Sequence, residues 1–227
     1  LGLIVFYLSF FPRGLRWNIL LRNIGIKKRT KNLSEIYFLS WFANLIFPAK
    51  LGDLYRSYLF KKNYNHSKSE IMGTVFMERF IDVIFLIIFL TLSGFIIFKD
   101  KFSKTMQDTL ILAYVLLIVI IVSFILIKKL RLKLARLLPK RFQHVIPEFE
   151  KSASNCIKRN NIIGLISITL IYWVLESSTL YFAAKALNID LSFTIIIFVT
   201  LIAALISTIP ITPSGAGFAE AGVTGVL

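Results

Sequence analysis

The chain has 227 residues, 56% of them hydrophobic and 21 of them Phe, with a mean hydropathy of +0.74. Soluble domains lie nearer about 45–50% apolar, so lipid is the expected solvent and no separate soluble domain remains to be placed. The net charge of +15 sits in stretches that flank apolar runs, which excludes a nucleic-acid surface as its main cause, and one cysteine with no CxxC or HExxH spacing gives no support to a disulfide framework, a zinc site or a cofactor.

Residues 1–11 form an apolar run, read as the tail of a spanning helix closed by Pro12. Arg13, Arg16, Arg22, Lys27, Lys28, Arg29 and Lys31 follow before any acid, with Trp17 placed among them as an interfacial anchor, and this stretch is assigned to the cytoplasmic surface. Residues 33–48 are apolar but short for a crossing, and residues 49–60 are amphipathic and return to Lys61, Lys62 and Lys68. Basic flanks on both sides predict a re-entrant hairpin bent at Pro48 and Gly52. The competing arrangement is one full crossing followed by a surface helix.

Residues 71–98 are expected to cross, 99–108 to form a short outer loop and 109–127 to cross back. Residues 128–160 hold ten Lys or Arg against Glu148 and Glu150, the strongest cytoplasmic marker in the chain. Residues 161–187 and 193–210 supply further apolar segments, and residues 210–222 bring Pro210, Pro213, Gly215, Gly217 and Glu220 where a plain spanning helix has Leu and Ile. Irregular backbone at membrane depth needs a protein or water-filled cavity to satisfy it, so a second re-entrant element is expected there. The expected fold is all-α: a single transmembrane domain over residues 1–227, a polytopic helix bundle with two re-entrant hairpins and a basic cytoplasmic loop at 128–160. Both ends fall inside apolar runs, so the chain is read as the middle of a longer protein. The expected location is the cell membrane, with residues 13–32, 61–69 and 128–160 cytoplasmic.

Glu78, Arg79 and Asp82 lie inside the apolar stretch 71–98. Ionisable groups at that depth cost several kcal/mol by most scales and face a protein interior or a hydrated cavity. Glu78 and Asp82 are four apart on one helical face and Arg79 reaches Asp82 across three residues, a cluster with one carboxylate in excess. Lys50, Asp53 and Arg56 recur at intervals of three on the preceding amphipathic segment, and Glu176 stands alone at the centre of its own, where Arg56 or Arg79 is its expected partner or desolvation keeps it protonated. For each set the alternative is structural: an ion pair that locks helices, or a solvated helix face. His66, His144 and Cys156 fall on basic loops and are read as ordinary side chains.

The ordered set Asn44-x3-Pro48-x3-Gly52-Asp53-x2-Arg56, then Glu78-Arg79-x2-Asp82, then Pro210-x-Thr-Pro213-x-Gly215-x-Gly217-x2-Glu220 resembles the lysylphosphatidylglycerol synthase transmembrane family, which includes the flippase region of multiple peptide resistance factor proteins. The similarity runs from about residue 13 to the end; Ser214 and Ala216 depart from the family's glycines but are also small. The resemblance implies two helix hairpins meeting near the membrane centre in a lipid flippase or related lipid-handling unit. In that reading Arg56 and Arg79 hold phosphate. Asp53, Glu78, Asp82, Glu176 and Glu220 bind an amino or hydroxyl headgroup or position the arginines, and Pro48, Gly52, Pro210, Pro213, Gly215 and Gly217 shape the breaks. The implied partners are membrane lipids of an anionic or polyprenyl-phosphate type, with a homo-oligomer and a fused or neighbouring transferase left open. The competing class is the membrane part of a lipid-modifying transferase, for which the chain carries no nucleotide-binding signature. A third is a purely structural role.

Overall fold

The computed structural model describes residues 1–47, 50–98, 104–137, 139–208 and 217. All regular structure among them is helical: α1 (Gly2–Leu8), α2 (Phe10–Asn23), α3 (Thr30–Ile46), α4 (Leu51–Tyr64), α5 (Lys68–Phe98), α6 (Lys104–Arg136), α7 (Val145–Asn155), α8 (Ile162–Ala186) and α9 (Phe193–Thr208), with short 3₁₀ turns before α7 and α8.

Pro12 does not close the first helix. It falls in the first turn of α2, where a missing backbone N–H costs little, and Ser9 keeps a helical conformation (φ −62°, ψ −20°) between α1 and α2. Nor do Arg13, Arg16 and Trp17 lie on a surface. All three are buried on α2, and the Trp17 indole N–H donates to Thr74 on α5 at 3.1 Å. The exposed basic residues of this region begin at Arg22.

α3 and α4 form an antiparallel pair. The Asn32 amide meets the Tyr64 hydroxyl at one end, and near the other Ser40 Oγ donates to the Gly52 carbonyl at 2.7 Å while the Gly52 N–H donates to Asn44 Oδ1 at 2.8 Å. Gly52 is required for this approach, because a Cβ there would lie 2.1 Å from the Ser40 carbonyl oxygen. Lys50 precedes α4 in the left-handed region at φ 56°. Pro48, Pro210, Pro213, Gly215 and Glu220 lie outside the described residues, so the expected second break is not described beyond the positive φ of Gly217.

Residues 128–160 are not an open loop. α6 continues to Arg136, and α7 packs on the first half of α5, where Gly73 lets the Phe149 carbonyl approach so closely that a Cβ would sit 2.5 Å from it. Among the described residues two helices are long and apolar enough to cross a membrane, Leu110–Leu130 and Arg159–Ala186, and α9 is apolar but shorter. Their apolar side chains point outward: Ile111, Leu112, Ile118, Val119, Ile163 and Ile171 are all exposed. Three apolar clusters hold the helices together. One joins Trp17, Leu21, Leu33 and Phe60 to Ile71 and Val75, one seats Leu20 and Met77 against Ala153, Cys156 and Leu165, and one packs the second half of α5 on Trp173 and α9. The charges of α5 fall between them.

Candidate functional site

Five cationic side chains and four carboxylates from α2, α4, α5, α8 and the residue before α4 converge on the middle of α5. Arg16 is at its centre and fully buried. Its guanidinium donates to Glu78 Oε1 at 2.9 and 3.2 Å, to Asp82 at 2.5 and 3.0 Å, and to Thr169 Oγ1 on α8 at 3.3 Å. Arg56 reaches the other Glu78 oxygen at 2.5 Å. Glu78 is therefore held between two arginines. Arg56 also lies over the rings of Trp17 and Tyr37, 3.9 and 4.2 Å from their centroids, an arrangement that supplies favourable π contact to a cation with no water around it.

A second tier faces outward from this knot. Arg79 makes a two-pronged contact with Asp53, at 2.9 and 3.0 Å, and lies 3.6 Å from Asp82, while its side chain stays 37% exposed. Arg13 pairs with Glu176 at 2.5 Å and stacks on Tyr172 at 4.5 Å. The Asn44 amide reaches Asp53 at 3.5 Å, tying the α3–α4 tip to the same tier.

These outer groups border a half-open cavity of about 600 Å³. Its lining is mixed: Arg13, Asn44, Lys50, Asp53, Arg79, Asp82 and Glu176 supply polar groups, and Phe76, Phe80, Val83, Leu86, Ile120 and Leu180 supply apolar ones. Each of these carboxylates accepts from an arginine, so the polar part of the lining is an array of fixed ion pairs with room beside it.

The structure thus brings Asp53, Arg56, Glu78, Arg79, Asp82 and Glu176 together, but changes their parts. Arg56 and Glu78 are sealed behind the cavity wall, whereas Lys50 and Arg13 are on it. Glu176 pairs with Arg13 rather than with Arg56 or Arg79. Glu78, Arg79 and Asp82 are joined by further charges, and in the wider cluster of described residues Arg13, Arg16, Lys50, Arg56 and Arg79 stand against Asp53, Glu78, Asp82 and Glu176. Arg13 and Arg16 were hidden in a run read as membrane-surface charge. The signal for them is helical: positions 13, 16, 17 and 20 share one face, and that face also carries Trp17 and Leu20. Cys156, expected in a loop, is buried against α5, and burial pushes its thiol up to about 12. Among the described residues no group of three His, Cys, Asp or Glu side chains is arranged to hold a metal ion.

Charge gathered inside and long apolar faces turned outward define a helical membrane protein. The chain belongs to the lysylphosphatidylglycerol synthase TM region family, whose sequence pattern matches residues 1–227. It is 34% identical over 190 residues to the UPF0104 membrane protein MJ1078 of Methanocaldococcus jannaschii, covering 82% of this chain and 79% of that protein. It is 26% identical to a UPF0104 membrane protein of Methanothermobacter thermautotrophicus, covering 89% of this chain and 67% of the relative. A shorter similarity, 30% over 81 residues, links 36% of the chain to 13% of glycosyltransferase AglD of Haloferax volcanii. No solved structure matches.

Proposed function

We propose that the protein moves the phosphate-bearing headgroup of a membrane lipid through the cavity, in the manner of a flippase, while the acyl chains stay in hydrocarbon. The observation that carries this reading is the mixed lining of the cavity, where ion-paired side chains stand beside Phe, Val, Leu and Ile. A headgroup needs the first and its tails need the second.

The depth of the site supports the reading. Arg79 is eleven residues beyond Lys68, so it lies about 16 Å along α5 from the end where exposed Arg22, Lys27, Lys61, Lys62 and Lys158 gather. That is roughly half of a ~30 Å hydrocarbon core. The tip of the α3–α4 pair meets α5 at this level through Asp53 and Arg79, and both of its outer ends return to the basic side. This favours a re-entrant hairpin, with the basic end in the cytoplasm.

In proteoliposomes carrying a fluorescent phospholipid, Arg79→Gln and Glu176→Gln are expected to slow translocation by about tenfold or more, each removing one charged contact of ~1.5–3 kcal/mol. Unchanged rates in both variants would remove the outer tier from the mechanism. A second reading, the membrane part of a lipid-modifying transferase, is favoured by the AglD similarity. Purified protein offered a labelled activated sugar or aminoacyl donor separates the two, since translocation alone makes no new covalent lipid.

A further inference from the structure

Among the described residues every carboxylate lining the cavity is already engaged. Asp53 accepts from Arg79, Asp82 from Arg16, and Glu176 from Arg13. Cationic donors are not all engaged. Arg13 borders the cavity but is committed: it pairs with Glu176 and lies on Tyr172, and its Nη1, without a hydrogen-bond partner among the described residues, is closed off from the cavity space. Lys50 also lines the cavity and has no carboxylate within salt-bridge reach among the described residues. Its left-handed backbone at φ 56° is a conformation that non-glycine residues rarely hold.

We infer that the cavity selects a net-anionic phosphate headgroup, one whose charge is not balanced by an amine of its own, with Lys50 as the cation that is free to bind it. This rests on the lipid-headgroup reading and narrows it. An added ammonium, as on an aminoacylated or choline headgroup, would meet no unengaged carboxylate on the described wall. A single phosphate anion instead meets the Lys50 ammonium, which has no carboxylate paired to it among the described residues. The apolar share of the lining favours a lipid, rather than free phosphate, as the source of that anion. Lys50 suits a ligand that must leave, because an ammonium is a mobile point charge, whereas the cavity's arginines are held in ion pairs with Glu176 and Asp53.

The test uses the intact protein in phosphatidylcholine nanodiscs. Trp41 and Trp173 line the cavity, so brominated lipids that enter it quench their fluorescence above the level set by brominated phosphatidylcholine. Brominated phosphatidylglycerol is expected to act at about tenfold lower concentration than brominated phosphatidylcholine or brominated lysylphosphatidylglycerol, the worth of one charged hydrogen bond. Lys50→Gln should erase that preference and Lys50→Arg should keep it. Equal quenching by the three lipids, or an undiminished preference in Lys50→Gln, overturns the inference. Inorganic phosphate that displaces phosphatidylglycerol only at high millimolar concentration supports the lipid source; displacement at micromolar concentration overturns it. Translocation without headgroup preference would refute this selectivity and leave the transport reading standing. Selective quenching without translocation would do the reverse.

Discussion

Arg16→Met removes the cation at the centre of the buried knot while keeping a side chain of similar length. Arg16 bridges Glu78 and Asp82 on α5 and touches Thr169 on α8, with no solvent to replace any of these contacts. Deleting one partner of a buried ion pair typically costs about 3–5 kcal/mol, because the partner left behind carries an uncompensated charge. For a chain of this size ~1 kcal/mol shifts Tm by roughly 2–4 °C, so the expected loss is about 6–20 °C in detergent, followed by tryptophan fluorescence. A second substitution makes the reasoning specific. Once Arg16 is gone, Glu78 keeps Arg56 and Asp82 keeps only the longer contact to Arg79. Asp82→Asn in the Arg16→Met background should therefore recover stability, with a coupling on the order of 1–3 kcal/mol. A Tm within about 2 °C of wild type, or a double variant that loses the full sum of both single losses, would refute the claim that this guanidinium holds the helices together.

Gly52→Ala should lower stability by ~1–3 kcal/mol, read as a fall in Tm, since its Cβ would collide with the Ser40 carbonyl and Asn44 across the α3–α4 contact. Gly164→Ala should have the opposite sign: nothing lies within 4 Å of the added methyl, and a helical glycine costs up to ~1 kcal/mol relative to alanine. Cys156, its thiol held protonated by burial with an ionisation near 12, should resist maleimide at pH 8 in the folded protein and react fully on unfolding. Rapid labelling of the native state would show that α7 does not stay closed on α5.

The helical class, the membrane setting and the polar centre on α5 were legible in the sequence because each leaves a local mark. Apolar runs set the class, and Glu78, Arg79 and Asp82 stand out against such a run. Burial of Arg13 and Arg16 was not legible in the same way. The positive-inside pattern reads every arginine near an apolar segment as surface charge, and only the partners of Arg16, 62 and 66 residues away, show that it faces inward. Partner choice was hidden for the same reason: Glu176 finds Arg13 at a separation of 163 residues, a pairing no helical spacing encodes. Residues 128–160 misled by composition, since charge on one side of α7 concealed the apolar and small side chains that seat it against Gly73.

The division between the buried and the cavity-facing charges follows from the chemistry of the cations. Glu78 accepts from two guanidiniums, and a planar fork can reach a carboxylate while its flat face lies against Trp17 or Tyr37, which an ammonium cannot do as well. Arginine is thus the residue that suits a charged centre sealed inside the helix bundle. Such a centre is rigid, because every fork is committed to a carboxylate or a ring, and rigidity is useless for holding a group that must arrive and depart. On the proposed function the cavity therefore needs at least one cation outside the lattice of pairs. Among the described residues that line it, Lys50 meets that condition, and it stands where the α3–α4 tip comes level with Arg79.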